Sequence, residues 1–124
     1  VTELQKLGSE VAIFIDPDLA QISAAKEAGA TAIEIHTGSY AKATSPAQQQ
    51  VEYQKIKVSL NHALKLGLTV NAGHGLNYQN VTAIAALAGI NELNIGHSII
   101  ARAAFVGLEQ AIKDMLQLMR QAKE

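Results

Sequence analysis

Four short apolar runs recur along the chain, and a helical pattern follows each. The runs are "VAIFID" (Val11 to Asp16), "TAIEIHTG" (Thr31 to Gly38), "LTVNAG" (Leu68 to Gly73) and "ELNIG" (Glu92 to Gly96). Strand–helix alternation with short connections requires parallel strands joined by right-handed crossovers. Two architectures meet that requirement: a doubly wound open sheet and part of a (βα)₈ barrel. The polar residues within the runs separate them. Ile33 and Ile35 point to one face of their strand, so Glu34 and His36 point to the other. Asn71 and Asn94 interrupt the third and fourth strands in the same manner. Parallel strands covered on both faces should be apolar on both. A barrel instead uses the inner face near its C-terminal rim to line the active site.

Length sharpens this expectation. A complete barrel takes about 250 residues. This chain has 124 and four βα units, so residues 1–124 are expected to form half of one barrel domain. Four strands alone leave two open edges and a partly polar wall, which calls for a second half, missing from this chain or supplied by a partner. The first residue is Val1, consistent with a processed, truncated or partly visible chain.

The helices carry their own punctuation. Asp16 is a candidate cap before Pro17, and Gly29 reads as the stop of the helix that follows. Ser45 and Pro46 open a second helix that runs to Gly67. A third is expected from about Tyr78 to Gly89. "HSIIARAAF" reads as a short helix, which Gly107 separates from a longer one. Leu108, Ala111, Ile112, Met115, Leu116 and Met119 share one side of that last helix.

Composition bounds the function. A net charge of −1 argues against a nucleic-acid surface built on bulk positive charge. The absence of cysteine excludes disulfides, thiolate metal sites and a cysteine nucleophile. No apolar run approaches the twenty or so residues of a membrane span, and there is no signal-peptide pattern. The expectation is a cytoplasmic protein. P-loop, GxGxxG and GxSxG motifs are absent.

Some residues invite a chemical reading. Glu34 lies near the C-terminal end of its strand, between isoleucines; such a carboxylate is either a paired core group or an acid/base or electrostatic group. His36 shares its face and can orient Glu34, contact a ligand or fill space. His74 follows the third strand between Gly73 and Gly75. It either caps a turn or acts as a general acid/base, and the flanking glycines favour close approach of a ligand. In "NIGHSII", Gly96 and the backbone N–H of His97 stand where a strand hands over to a short helix. That is a plain turn or a phosphate site. Arg102 is a surface charge or a second phosphate contact, and His62 reads as solvent-facing. His36, His62, His74 and His97 lack the close sequence pairing of zinc ligands. No lysine falls in a strand, which argues against Schiff-base chemistry.

"FIDPD", "AIEIHTGSYA", "VNAGHGLNYQNV" and "ELNIGHSIIARAAFVGL" together resemble the C-terminal half of the pyridoxine 5′-phosphate synthase family, across essentially the whole chain. The resemblance implies a (βα)₈ barrel that assembles as a homo-octamer and needs no metal or organic cofactor. It implies condensation of 1-deoxy-D-xylulose 5-phosphate with 3-amino-2-oxopropyl phosphate to pyridoxine 5′-phosphate, phosphate and water. Carried over by motif, Glu34 of "EIHTG" resembles the group that stabilises the transition state, and His74 of "AGHGL" the proton donor. Gly75 resembles a contact to the amino-oxopropyl phosphate, and Gly96 and His97 of "NIGH" the pair holding its phosphate. His36, Asn71 and Asn94 stand as supporting residues. The family's N-terminal half, with its proton-accepting histidine and glutamate, has no counterpart here, so the chain alone is expected to be incomplete for catalysis. Two alternatives stay open: another phosphate-binding (βα)₈ isomerase or aldolase, and a non-catalytic phosphate-binding half-barrel that self-associates.

Overall fold

The computed structural model of the chain describes residues 1–123. A short helix α1 (Thr2–Lys6) precedes strand β1 (Ala12–Ile15), helix α2 (Leu19–Glu27) and strand β2 (Ala32–His36). A one-turn helix α3 (Gly38–Ala41) and the long helix α4 (Pro46–Lys65) lead to β3 (Thr69–Gly73). Helix α5 (Val81–Ala85), strand β4 (Ile90–Asn94) and helices α6 (His97–Val106) and α7 (Leu108–Gln121) complete it. The four strands are parallel and lie in sequence order, β1-β2-β3-β4.

One face of the sheet is dry. Ile33, Ile35, Val70 and Ala72 are 0% exposed and pack with Ile22 of α2 and Ile56, Leu60 and Ala63 of α4. Each of the Ile, Leu and Val side chains removed from water contributes about 1.5–3 kcal/mol. The opposite face carries Phe14, Glu34 and Asn71 side by side in register, then His36, Gly73 and Asn94 one row further toward the C-terminal end. The alternation predicted for Glu34 and His36 is therefore observed.

Helix starts follow local chemistry, with two displacements. Ser45 caps α4, its side chain accepting from the Gln48 N–H at 3.2 Å, with Pro46 at the first helical position. Asp16 does not cap α2. Asp18 does, accepting from the Gln21 N–H at 2.9 Å. A residue before proline is steered to extended backbone, so Asp16 prolongs the exit from β1 and the helix begins beyond Pro17. Gly29 and Gly67 are left-handed just past α2 and α4, and Gly107, at φ 84°, separates α6 from α7. Helix α5 starts at Val81 rather than near Tyr78, because Asn77 and Asn80 fold the intervening residues into a side-chain-bonded turn. Strand β4 begins two residues before the predicted Glu92, and a register irregularity opposite Asn71 accompanies it.

Candidate active site

At the C-terminal end of the sheet a cavity of about 470 Å³ opens, lined by Phe14, Glu34, His74, Gly75, Gly96 and His97 among others. Residues from three strands, two loops and the start of α6 meet there, although Glu34 and His97 are 63 positions apart. The cavity unites all five residues singled out in the motifs: Glu34, His74, Gly75, Gly96 and His97.

The Glu34 carboxylate reaches across β3. Its Oε2 accepts from Asn94 Nδ2 at 2.8 Å. That path exists because β3 offers no side chain there: a Cβ on Gly73 would collide with Glu34 Oε1 and stand 2.8 Å from the Asn94 carbonyl oxygen. Gly73 is thus needed by the neighbouring strands rather than by a ligand.

His74 is held in an unusual backbone state. Its φ is 80°, the only positive value at a non-glycine among the described residues, and Gly75 follows at 79°. A left-handed non-glycine residue costs about 1–3 kcal/mol and persists only where its surroundings impose it. Four consecutive carbonyls of this turn lie within reach of side-chain donors. Thr37 Oγ1 lies 2.7 Å from the Gly73 and His74 oxygens, Asn80 Nδ2 3.3 Å from that of Gly75, and Ser98 Oγ 2.8 Å from that of Leu76. Tyr40 steadies Asn80 by donating to its carbonyl at 2.8 Å. Burial, with Tyr53 beside it, pushes the Tyr40 hydroxyl above its ordinary range, which keeps it a donor. Gly75 also lacks room for a side chain, since a Cβ would lie 2.7 Å from that of Ala41.

The Gly96 turn differs. Its φ of −118° suits any residue, and a Cβ there would meet nothing within 4 Å. Neither backbone nor packing within this chain requires glycine at 96. Gly96 precedes α6, whose first N–H groups have no side-chain cap. Such groups, at the positive end of a helix dipole, suit an anion.

His36 lies behind the cavity wall. Its Nδ1 is 2.9 Å from Asp16 Oδ1, and its ring meets that of His74 edge-on with centroids 4.9 Å apart. The glycine of "HTG" follows from this packing: a Cβ on Gly38 would strike His36 and come within 3.2 Å of His74 Cδ2. Asn94 joins the site through Glu34, but Asn71 does not. It donates to Glu92 at 3.0 Å and accepts from Asn91 at 3.1 Å, deeper in the sheet. Arg102 is tied to Asp114 of α7, Nε to Oδ2 at 2.7 Å, and lies over the Tyr78 ring, away from the cavity lining. His62 is half-buried rather than solvent-facing, with Nε2 2.9 Å from Ser23 Oγ. Among the described residues no three His, Cys, Asp or Glu side chains converge as a metal site would. The motif reading missed Thr37, Asn80 and Ser98; a small hydroxyl or amide near a loop gives no sequence signal of which carbonyl it will reach.

The family described as "Pyridoxal phosphate biosynthesis protein PdxJ" matches residues 1–121. The chain belongs to this family. It is 57% identical over 123 residues to proteins named "Pyridoxine 5'-phosphate synthase" from Legionella pneumophila strains Corby and Paris, covering 99% of this chain and 50% of each relative. A protein of the same name from Synechococcus sp. (strain JA-2-3B'a(2-13)) is 54% identical over 119 residues, 96% of this chain and 50% of its own length. The chain thus spans about half the length of these curated PdxJ-family relatives. No described helix is long and apolar enough to cross a membrane.

Proposed function

We propose that residues 1–124 are the C-terminal half of a single (βα)₈ barrel domain, and that the intact protein is a cytoplasmic pyridoxine 5′-phosphate synthase. Sequential parallel strand order, a dry face under α2 and α4, an opposite polar face and two open sheet edges support the half-barrel. A doubly wound sheet reverses strand order at its switch point. The unfinished apolar surface of α6 and α7, where Phe105 is 91% exposed, supports a covering element. The relatives' doubled length supplies one.

In this reading the synthase condenses 1-deoxy-D-xylulose 5-phosphate with 3-amino-2-oxopropyl phosphate. Joining an amine to a ketone, losing water and closing a ring each demand proton transfer. His74 acts as proton donor from its fixed turn. Glu34, oriented by Asn94, stabilises positive charge that develops in the transition state. The N–H groups at Gly96 and His97 hold the amino-oxopropyl phosphate, and Gly75 contacts the same substrate. The N-terminal half supplies the proton acceptors, and the full protein assembles as a homo-octamer.

The observation that carries this reading is the single cavity shared by Glu34, His74 and the uncapped start of α6. Pairing this chain with the N-terminal half and supplying both substrates tests it. Pyridoxine 5′-phosphate should form only when both halves are present. A folded, complete protein that binds neither phosphate ester and makes no product overturns it. The open β1 and β4 edges favour a second reading, a self-associating phosphate-binding half-barrel. A stable dimer of this chain that excludes the N-terminal half would select it.

A further inference from the structure

We propose that Thr37 is a positioning residue for His74, acting through the backbone; the inference rests on the reading of His74 as proton donor. Thr37 occupies the N-cap position of α3, where a threonine hydroxyl ordinarily accepts from a helix N–H. Here it makes no capping bond. The hydroxyl turns to β3 instead, 2.7 Å from both the Gly73 and the His74 carbonyl oxygens, while the Thr37 N–H donates to Gly73 at 2.8 Å. The side chain is fully buried.

Those two carbonyls belong to the peptide planes on either side of the His74 Cα. Rotation of the first plane changes φ of His74, and rotation of the second changes ψ. The Thr37 N–H holds the Gly73 carbonyl, and its single hydroxyl proton, within reach of both oxygens, is left to hold that of His74, so the residue opposes either rotation. It stands where opposition is needed, at the one described non-glycine residue with positive φ. Asn80 and Ser98 extend the clamp to the next two carbonyls. The imidazole is thereby aimed into the cavity by groups that do not touch it. A forgone cap, a strained φ and full burial are what a residue dedicated to aiming its neighbour would show; a residue serving α3 alone would spend its hydroxyl on the helix.

Thr37→Val keeps the branched shape and removes the donor, and Thr37→Ser keeps the donor. In the full-length protein, Thr37→Val should lower kcat about 10- to 100-fold, the scale of an ångström-sized misplacement. KM for each substrate should stay within about threefold, and Thr37→Ser should restore most of kcat. A purely structural threonine would lower the unfolding midpoint and leave kcat per folded site unchanged. Crystal structures of the same variants give a readout independent of activity. In Thr37→Val, His74 should leave positive φ or its ring should shift by about 1 Å. If Thr37→Val does not fold, Thr37→Ala carries the same measurements, since it too removes the donor and leaves the cavity lining untouched. Unchanged His74 geometry together with unchanged kcat, in whichever variant folds, overturns the clamp. Absence of product from the unsubstituted protein would remove the functional reading, while the His74 geometry still decides this one.

Discussion

The two faces of the sheet obey opposite rules. Under α2 and α4, Ile33, Ile35, Val70 and Ala72 are shut away from water in one apolar cluster. On the other face Glu34, Asn71 and Asn94 each bond another side chain, and Phe14 stands half-exposed. Adjacent residues of β2 serve both. Ile33 and Ile35 anchor the fold, while Glu34 and His36 point into polar surroundings. The first face is covered by helices of this chain, whereas the second carries the cavity. Stability and chemistry are thus divided by strand parity, and a substitution one position along should change which property suffers.

Activity should show the largest effect. In the intact protein, His74→Asn should lower kcat by about 10²–10⁴, the contribution of a positioned general acid. Glu34→Gln should lower it by about 10²–10³ through lost electrostatic stabilisation. Glu34→Gln should shift the urea unfolding free energy by no more than about 0.5 kcal/mol because its side chain faces the cavity, and His74→Asn should not destabilise, since asparagine tolerates the left-handed backbone. A Glu34→Gln protein with full kcat would break the division of labour. The reverse holds one residue along. Ile35→Ala should remove about 2–5 kcal/mol of stability by urea titration, a large share of what a domain of this size has. Activity per folded molecule should change far less than in Glu34→Gln.

The dry face was readable in the sequence, and the site was readable only in part. Period-two alternation in "AIEIH" gave the direction of every β2 side chain, because a strand has only two faces. Ser45-Pro46 and Gly107 marked helix limits through backbone chemistry that acts within a few residues. The misreadings involve partners far along the chain. Asp16 looks like a cap until His36, 20 residues on, claims its carboxylate. His62 looks exposed until Ser23, 39 positions away, meets it. At Gly73 and Gly75, read as ligand glycines, groups distant in sequence also leave no room for a side chain. Gly96 has no such neighbour. Short-range rules could not reach α1 or the one-turn α3 either, since neither carries an apolar period long enough to detect.

Capping sharpens the comparison at a smaller scale. Asp18→Ala should cost about 1 kcal/mol by denaturant titration, the usual value of a lost N-cap. Asp16→Ala should cost less than about 0.5 kcal/mol. Its effect should fall instead on His36, whose Nδ1 loses its partner, seen as a changed ring tautomer by nitrogen NMR. Equal destabilisation by both substitutions would return Asp16 to the capping role.

The smallest effect concerns the ion pair joining α6 to α7. Hydrogen bonds from Gln110 and Arg102, aided by the Arg102 charge, hold the Asp114 carboxyl below the usual carboxylate range. A carboxyl whose folded value is depressed favours the folded state while it stays ionised. That contribution is complete above the ordinary carboxylate value near 3.8 and fades as pH falls through the lower folded value. Between pH 6 and pH 3 the thermal midpoint should therefore fall slightly more for the natural chain than for Asp114→Asn. The neutral side chain has no proton to take up, and the solvent around the pair keeps the difference modest. Equal acid sensitivity in the two proteins would mean that Arg102 is free to leave Asp114. It would then be available to a phosphate at the start of α6, the alternative its position first suggested.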